Sequence, residues 1–130
     1  MNRRELVARI LIAAAVVGAV GIPLYFWWTT PLVHARLAEK GGFIPDGLRA
    51  KVGVPLHLHL TSDDVLHGFA VGKMDMKGVD ILPGKVADIT LTFDKPGTYT
   101  FYCTRWCGIN HWRMRGTIEV SGLGPDVGDA

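Results

Sequence analysis

Ile10 to Trp28 is nineteen residues long and carries no formal charge. As a helix at 1.5 Å per residue it reaches about 28 Å, just enough to cross the hydrocarbon core of a bilayer. Backbone polar groups in hydrocarbon must be satisfied within their own segment, so the run is predicted to be one transmembrane helix, with Pro23 in its last third tolerated as a kink. Arg3, Arg4 and Arg9 accompany its start. By the positive-inside tendency they place the N-terminus in the cytoplasm and everything after Thr29 outside. Tyr25, Phe26, Trp27 and Trp28, four of the chain's twelve aromatics, close the run, and Trp27 and Trp28 read as the outer aromatic belt. The rival is a cleavable signal peptide with Val33, His34 and Ala35 as a loose small-x-small site. Against it, the run exceeds the usual apolar core of about 7 to 15 residues, and bulky aromatics are a poor approach to a peptidase. Both readings put the remaining chain outside the cytoplasm.

The 130 residues leave room for one domain beside that segment, which argues against a two-domain enzyme with a large buried active site. No Lys/Arg run exists that could track a phosphate backbone, so nucleic acid is excluded as a partner. Residues 31–130 carry eleven Lys/Arg and eleven Asp/Glu, so long-range steering of a charged partner should be weak and docking should rely on local patches. The expected division is a basic end and anchor at 1–30, a tether at 31–42 with Pro31 and Gly41-Gly42, a folded domain at 43–120 and a flexible tail at 121–130.

Within 43–120 the texture is that of short strands. Leu56, Leu58 and Leu60 alternate with His57 and His59, and Ile89, Leu91 and Phe93 alternate with Asp88, Thr90 and Thr92, the two-residue period of half-buried strands. Further strands are expected at Leu48 to Lys51, Val65 to Val71, Val79 to Leu82, Thr98 to Tyr102 and Met114 to Val120, punctuated by Pro83-Gly84 and Asp94-Lys95-Pro96-Gly97. About seven strands without helical periodicity predict an all-β Greek-key sandwich behind one N-terminal helix. That architecture alone says nothing about chemistry.

The chemistry lies in Cys103-Thr-Arg-Trp-Cys107-Gly-Ile-Asn-His111-Trp-Arg-Met114, between the last two predicted strands. Thiolate, imidazole and thioether together select a soft metal, and Cys with His and a weak Met is the donor inventory of copper electron-transfer sites. The residues alone leave other readings open. Two Cys in an exported domain can form a disulfide, although a Cys-x3-Cys bridge closes a tiny loop and adds little stability. Zinc fits less well, since zinc sites favour Cys-x2-Cys knuckles and seldom use Met. His111 and Met114 also read as incidental loop and core residues.

The spacing Cys-x3-Cys-x3-His-x2-Met, preceded by Asp64-Val-Leu-His67-Gly-Phe69, resembles the CuA domain of cytochrome c oxidase subunit II, a cupredoxin. Phe43-Ile-Pro45, Leu82-Pro-Gly84, Pro96-Gly-Thr-Tyr99 and Met114-Arg-Gly-Thr-Ile-Glu-Val120 follow in that family's order. The resemblance implies two copper ions bridged by Cys103 and Cys107, one completed by His67 and Met114, the other by His111 and the backbone carbonyl of Arg105. It further implies electron transfer without bond chemistry, from a cytochrome c or small copper protein to a larger haem-bearing membrane subunit. The expected setting is the plasma membrane of a prokaryote, because a single anchor resembles the compact subunit II of some bacterial and archaeal oxidases. Arg105 stands where many relatives carry a Glu that helps bind magnesium, a role a guanidinium does not fill. Competing readings keep the ligands and change the setting: a free-standing anchored carrier, a donor module for a nitric oxide or nitrous oxide reductase, or a copper storage or assembly protein.

Several neighbours are weighed beside the ligands. Asp64 is a candidate hydrogen-bond partner of His67, with turn formation as the plainer role. Trp106 and Trp112 are expected either to form an exposed patch where an electron enters or to pack over the metal and exclude water. His57 and His59 are expected on the solvent face of their strand, His34 in the tether, and Met74 and Met76 in a packed loop.

Overall fold

The structure, a computed structural model, describes residues 1–122. Helix α1 (Arg3–Thr29) contains Pro23. Its N-terminus is closed by Asn2, whose side-chain oxygen accepts from the Glu5 N–H at 2.8 Å, satisfying one of the donors every helix start leaves over. Arg9 pairs with Glu5 one turn back at 2.7 Å. Arg3–Tyr25 is long and apolar enough to cross a membrane.

From Pro31 the chain forms a second unit, which has among its described residues nine strands in two sheets: β1 (Leu32–Ala35), β2 (Phe43–Ile44), β3 (Gly47–Lys51), β4 (Leu56–Ser62), β5 (His67–Val71), β6 (Val79–Ile81), β7 (Val86–Leu91), β8 (Gly97–Tyr102) and β9 (Arg115–Ser121). One sheet runs β2-β1-β4-β7 and the other β3-β9-β8-β5-β6. The β1–β4 and β3–β9 pairs are parallel, so each sheet joins segments distant in sequence.

The alternating strands send one row inward. Leu58 and Leu60 are buried while His57 is exposed on the outer face, and His59 beside it is half-buried against Asp88. Phe43, Phe69 and Phe101 meet at the centre of the core; Phe69 and Phe101 stack at 5.2 Å and Phe43 meets both edge-on. Facing Phe101 across the β8–β9 ladder is Gly116. A Cβ there would lie 2.1 Å from the Phe101 ring and 2.5 Å from the Asp46 carbonyl, so no larger residue fits. Tyr99 packs on Phe93 and donates its hydroxyl to the Lys95 carbonyl at 2.8 Å, pinning the turn between β7 and β8.

The stretch expected to be a tether is part of the sandwich. Val33 and Ala35 of β1 are buried, their strand lying parallel to β4 from Leu32–His59 to Ala35–Ser62. A 3-10 turn, Ala38–Lys40, then leads to β2. Four alternating residues are too few to stand out as a period, and the parallel partner is far along the chain. Of the stretch expected as a flexible tail, Ser121 ends β9, and 123–130 lie outside the described residues.

Candidate metal centre

Two pieces of chain build the site. His67 opens β5, a strand buried throughout. The other donors come from the β8–β9 loop, whose base is closed by the Cys103 N–H donating to the Met114 carbonyl at 3.2 Å. A 3-10 turn, His111–Arg113, returns the loop to β9, with the His111 N–H on the Gly108 carbonyl and the Met114 N–H on the His111 carbonyl. That turn brings His111 and Met114 round to the same place as the two cysteines.

Both cysteines are free thiols, their Sγ atoms 3.7 Å apart; a disulfide would need about 2.05 Å. His67 Nδ1 lies 4.0 Å from Cys103 Sγ, and the Arg105 carbonyl oxygen is 3.2 Å from the same sulfur. On the other sulfur, Met114 Sδ lies at 3.4 Å and His111 Nδ1 at 3.8 Å. The donor atoms of His67, Cys103 and Cys107 all fall within 4.8 Å of one another. A metal ion bonded to both thiolates at about 2.3 Å tolerates sulfurs up to about 4.6 Å apart, so this donor set fits a soft metal. His67, Cys103 and Met114 are buried, whereas Cys107 and His111 are half-buried.

The electrostatics of the bare site follow from that packing. Burial opposes ionisation of Cys103, yet the His67 imidazole, backbone groups of Gly68 and Arg105, and His111 outweigh it and bring the thiol down to about 6. Burial pushes the Cys107 thiol up to about 12, with the negative charge on Cys103 as the next cause. One thiolate is therefore ready at neutral pH, and the second needs a cation to ionise it. His67 Nε2 is 2.6 Å from Asp64 Oδ1, leaving Nδ1 turned to the sulfurs. This is how a carboxylate selects the tautomer of a ligating histidine. Asp64 also accepts from the Leu37 and Val65 N–H groups at 2.7 and 2.6 Å. Burial would raise its carboxyl, but these bonds hold it below the usual range.

Trp106 and Trp112 are 75% and 61% exposed, so neither packs as a closed lid over the sulfurs. Trp106 tilts against the His111 ring at 5.8 Å, and Arg113 lies over Trp112 at 5.4 Å. A cleft of about 330 Å³ reaches Cys103, His111 and Met114 between Tyr102, Trp112 and Arg115. Met74 and Met76 pack against the core, the Met76 sulfur accepting from the Val71 N–H at 3.3 Å. His34 sits in β1 and meets Asp63 at 2.9 Å. Two features carry no local sequence signal: Asp80, which grips Arg105, and the 37–42 turn, where Glu39 accepts from Asn110 at 2.5 Å and Gly42 lies beside Met114.

Comparison with known proteins bears on the family and the fold. The family described as cytochrome c oxidase subunit II, periplasmic domain, matches residues 46–121. Cytochrome c oxidase subunit 2 of Thermus thermophilus is 38% identical over 84 residues, covering 65% of this chain and 62% of that protein. The chain thus aligns with less than two thirds of that relative's length. In fold it is similar to a chain of a haem-copper terminal oxidase dimer, with a TM-score of 0.59 at 22% identity over 90% of this chain and 93% of that one. It is also similar to a purple cupredoxin from Nitrosopumilus maritimus, with a TM-score of 0.50 at 19% identity over 70% and 99%.

Proposed function

Since the chain belongs to the cytochrome c oxidase subunit II family, we propose that its sandwich holds a binuclear copper centre and serves as the point at which single electrons enter a haem-copper oxidase. The observation that carries this reading is the pairing of donors about two sulfurs. His67 and the Arg105 carbonyl lie against Cys103, while Met114 and His111 lie against Cys107. Cys103 and Cys107 would bridge the ions, His67 and Met114 would complete one, and His111 and the Arg105 carbonyl the other. When bound, such a thiolate-bridged pair supplies a one-electron couple whose charge is shared between both ions.

The residues of this chain have four tasks in that arrangement. Asp64 holds one imidazole proton at His67 Nε2 and so keeps Nδ1 free to ligate. The core beneath β5 and β8 holds His67 and Cys103 in place, which keeps the ligand geometry similar in both redox states. Burial of Met114 and Cys103 at 1% and 4% exposure leaves little of either open to the cleft beside them. Trp106, exposed and tilted on the His111 ring, offers an aromatic contact through which a donor passes its electron.

The setting proposed is the plasma membrane of a prokaryote, with α1 as a single anchor, the N-terminus in the cytoplasm and the sandwich outside. Cleavage after Ala35 would remove β1, whose Val33 and Ala35 are buried, so retention of the anchor suits the fold. The partners proposed are lipid, a larger haem-bearing subunit, and a cytochrome c or small copper protein as donor. Reductive titration of the full chain, copper-loaded in detergent, tests the function: one electron per chain is expected. Uptake of two electrons, or of none, would overturn it. Met114→Leu should mainly shift the potential, since the thioether is a weak ligand, while Cys107→Ser should abolish charge sharing.

A further inference from the structure

We propose that Asp80 is a positioning residue for the copper site: by gripping Arg105 from β6 it holds that residue's backbone carbonyl against the sulfur pair. The inference rests on the copper reading above and names a device within it. Arg105 Nε and Nη2 donate to the two Asp80 carboxylate oxygens at 2.8 and 2.9 Å, a bidentate contact that fixes the plane of the guanidinium as well as its distance. The carbonyl oxygen of the same residue lies 3.2 Å from Cys103 Sγ. Side chain and carbonyl of Arg105 thus serve two different partners across one residue.

The segment needs such a hold, because among the described residues no backbone–backbone hydrogen bond involves residues 104–107. Its registration comes from side chains on the β5–β6 edge. Thr104 is seated against two glycines, where a Cβ on Gly68 would come within 1.9 Å of Thr104 Oγ1 and one on Gly78 within 2.8 Å. Asp80 lies directly opposite Gly68 in the β5–β6 ladder, and His67 opposite Ile81. The frame that fixes Arg105 is therefore the strand pair that also carries His67. The ion pair is about half exposed, at 54% and 45%, so it adds little to global stability. Its effect falls on orientation.

The test uses the full chain in detergent, copper-loaded, as wild type, Asp80→Asn, Asp80→Glu and the charge-swapped pair Asp80→Arg with Arg105→Asp. Three readouts are taken: the electron spin resonance hyperfine pattern of the half-oxidised state, the rate of copper loss to bathocuproine disulfonate, and the melting temperature of the metal-free protein. Asp80→Asn is expected to alter the hyperfine pattern and speed copper loss about fivefold, the size of a modest exposed ion pair, with the metal-free melting temperature unchanged. Asp80→Glu and the swapped pair should recover part of the wild-type rate. An unchanged pattern and rate in Asp80→Asn would overturn the proposal, as would a fall in metal-free melting temperature that accounts for the faster loss. A wild type that never binds two coppers would instead overturn the copper reading itself.

Discussion

The two sides of the sulfur pair are made of different material. His67, Cys103 and Met114 are 0%, 4% and 1% exposed and sit on or against β5, β8 and β9. Cys107, His111 and the Arg105 carbonyl belong to the loop beyond, where Trp106 and Ile109 stand 75% and 83% exposed. The buried side takes its rigidity from the close-packed core. The exposed side takes it from a few named contacts, Asp80 on Arg105, Glu39 on Asn110 and Thr104 between two glycines. One side is held by the core and the other by isolated contacts, and substitutions on the two should fail in different ways.

The sharpest way to break the buried side is Phe69→Ala. Phe69 is fully buried, two residues from His67, and packs on both Phe43 and Phe101. Removing it should cost about 3–5 kcal/mol in denaturant unfolding and reduce copper retention with it. A loss under about 1 kcal/mol would mean that the site does not lean on the core.

A finer cut compares the two histidines in the metal-free protein. His67→Ala leaves the Asp64 carboxylate, 10% exposed, without its imidazole, and should cost about 1–3 kcal/mol. His111→Ala, on the outer turn, should stay within about 0.5 kcal/mol. Equal losses by thermal unfolding would contradict the division between the sides.

The smallest effect concerns acid. His34 and, next, Arg36 donate to Asp63, and these bonds hold its carboxyl below the ordinary value of about 3.8. A group whose folded pKa is depressed contributes stability above its unfolded pKa and loses it as pH falls through the folded one. The join between β1 and the end of β4 should therefore loosen below about pH 4, and Asp63→Asn should flatten that part of the stability profile. A variant with the wild-type slope would show that this join adds nothing.

Much of the site was legible because its donors are close in sequence. Cys103, Cys107, His111 and Met114 fall within one loop, and the sandwich was readable from strands such as β4 and β7 that alternate over six or more residues. What escaped was held together at long range. β1 has four residues and a parallel partner, so neither period nor hairpin marks it. Asp80 looks like any outward residue of a short strand, and its role appears once β6 is set beside β5. The tryptophans were ambiguous for another reason: an aromatic next to a ligand suits a lid as well as a surface, and exposure alone decides between them.

In the proposed function, two coppers held by Cys103 and Cys107 share one electron. Metal content and electron spin resonance, measured together on the half-oxidised, copper-loaded full chain, test it most directly. Two coppers per chain and a hyperfine pattern from one electron spread equally over both nuclei are expected. One copper per chain, a pattern from a single nucleus, or a Cys103–Cys107 disulfide persisting after loading would contradict it.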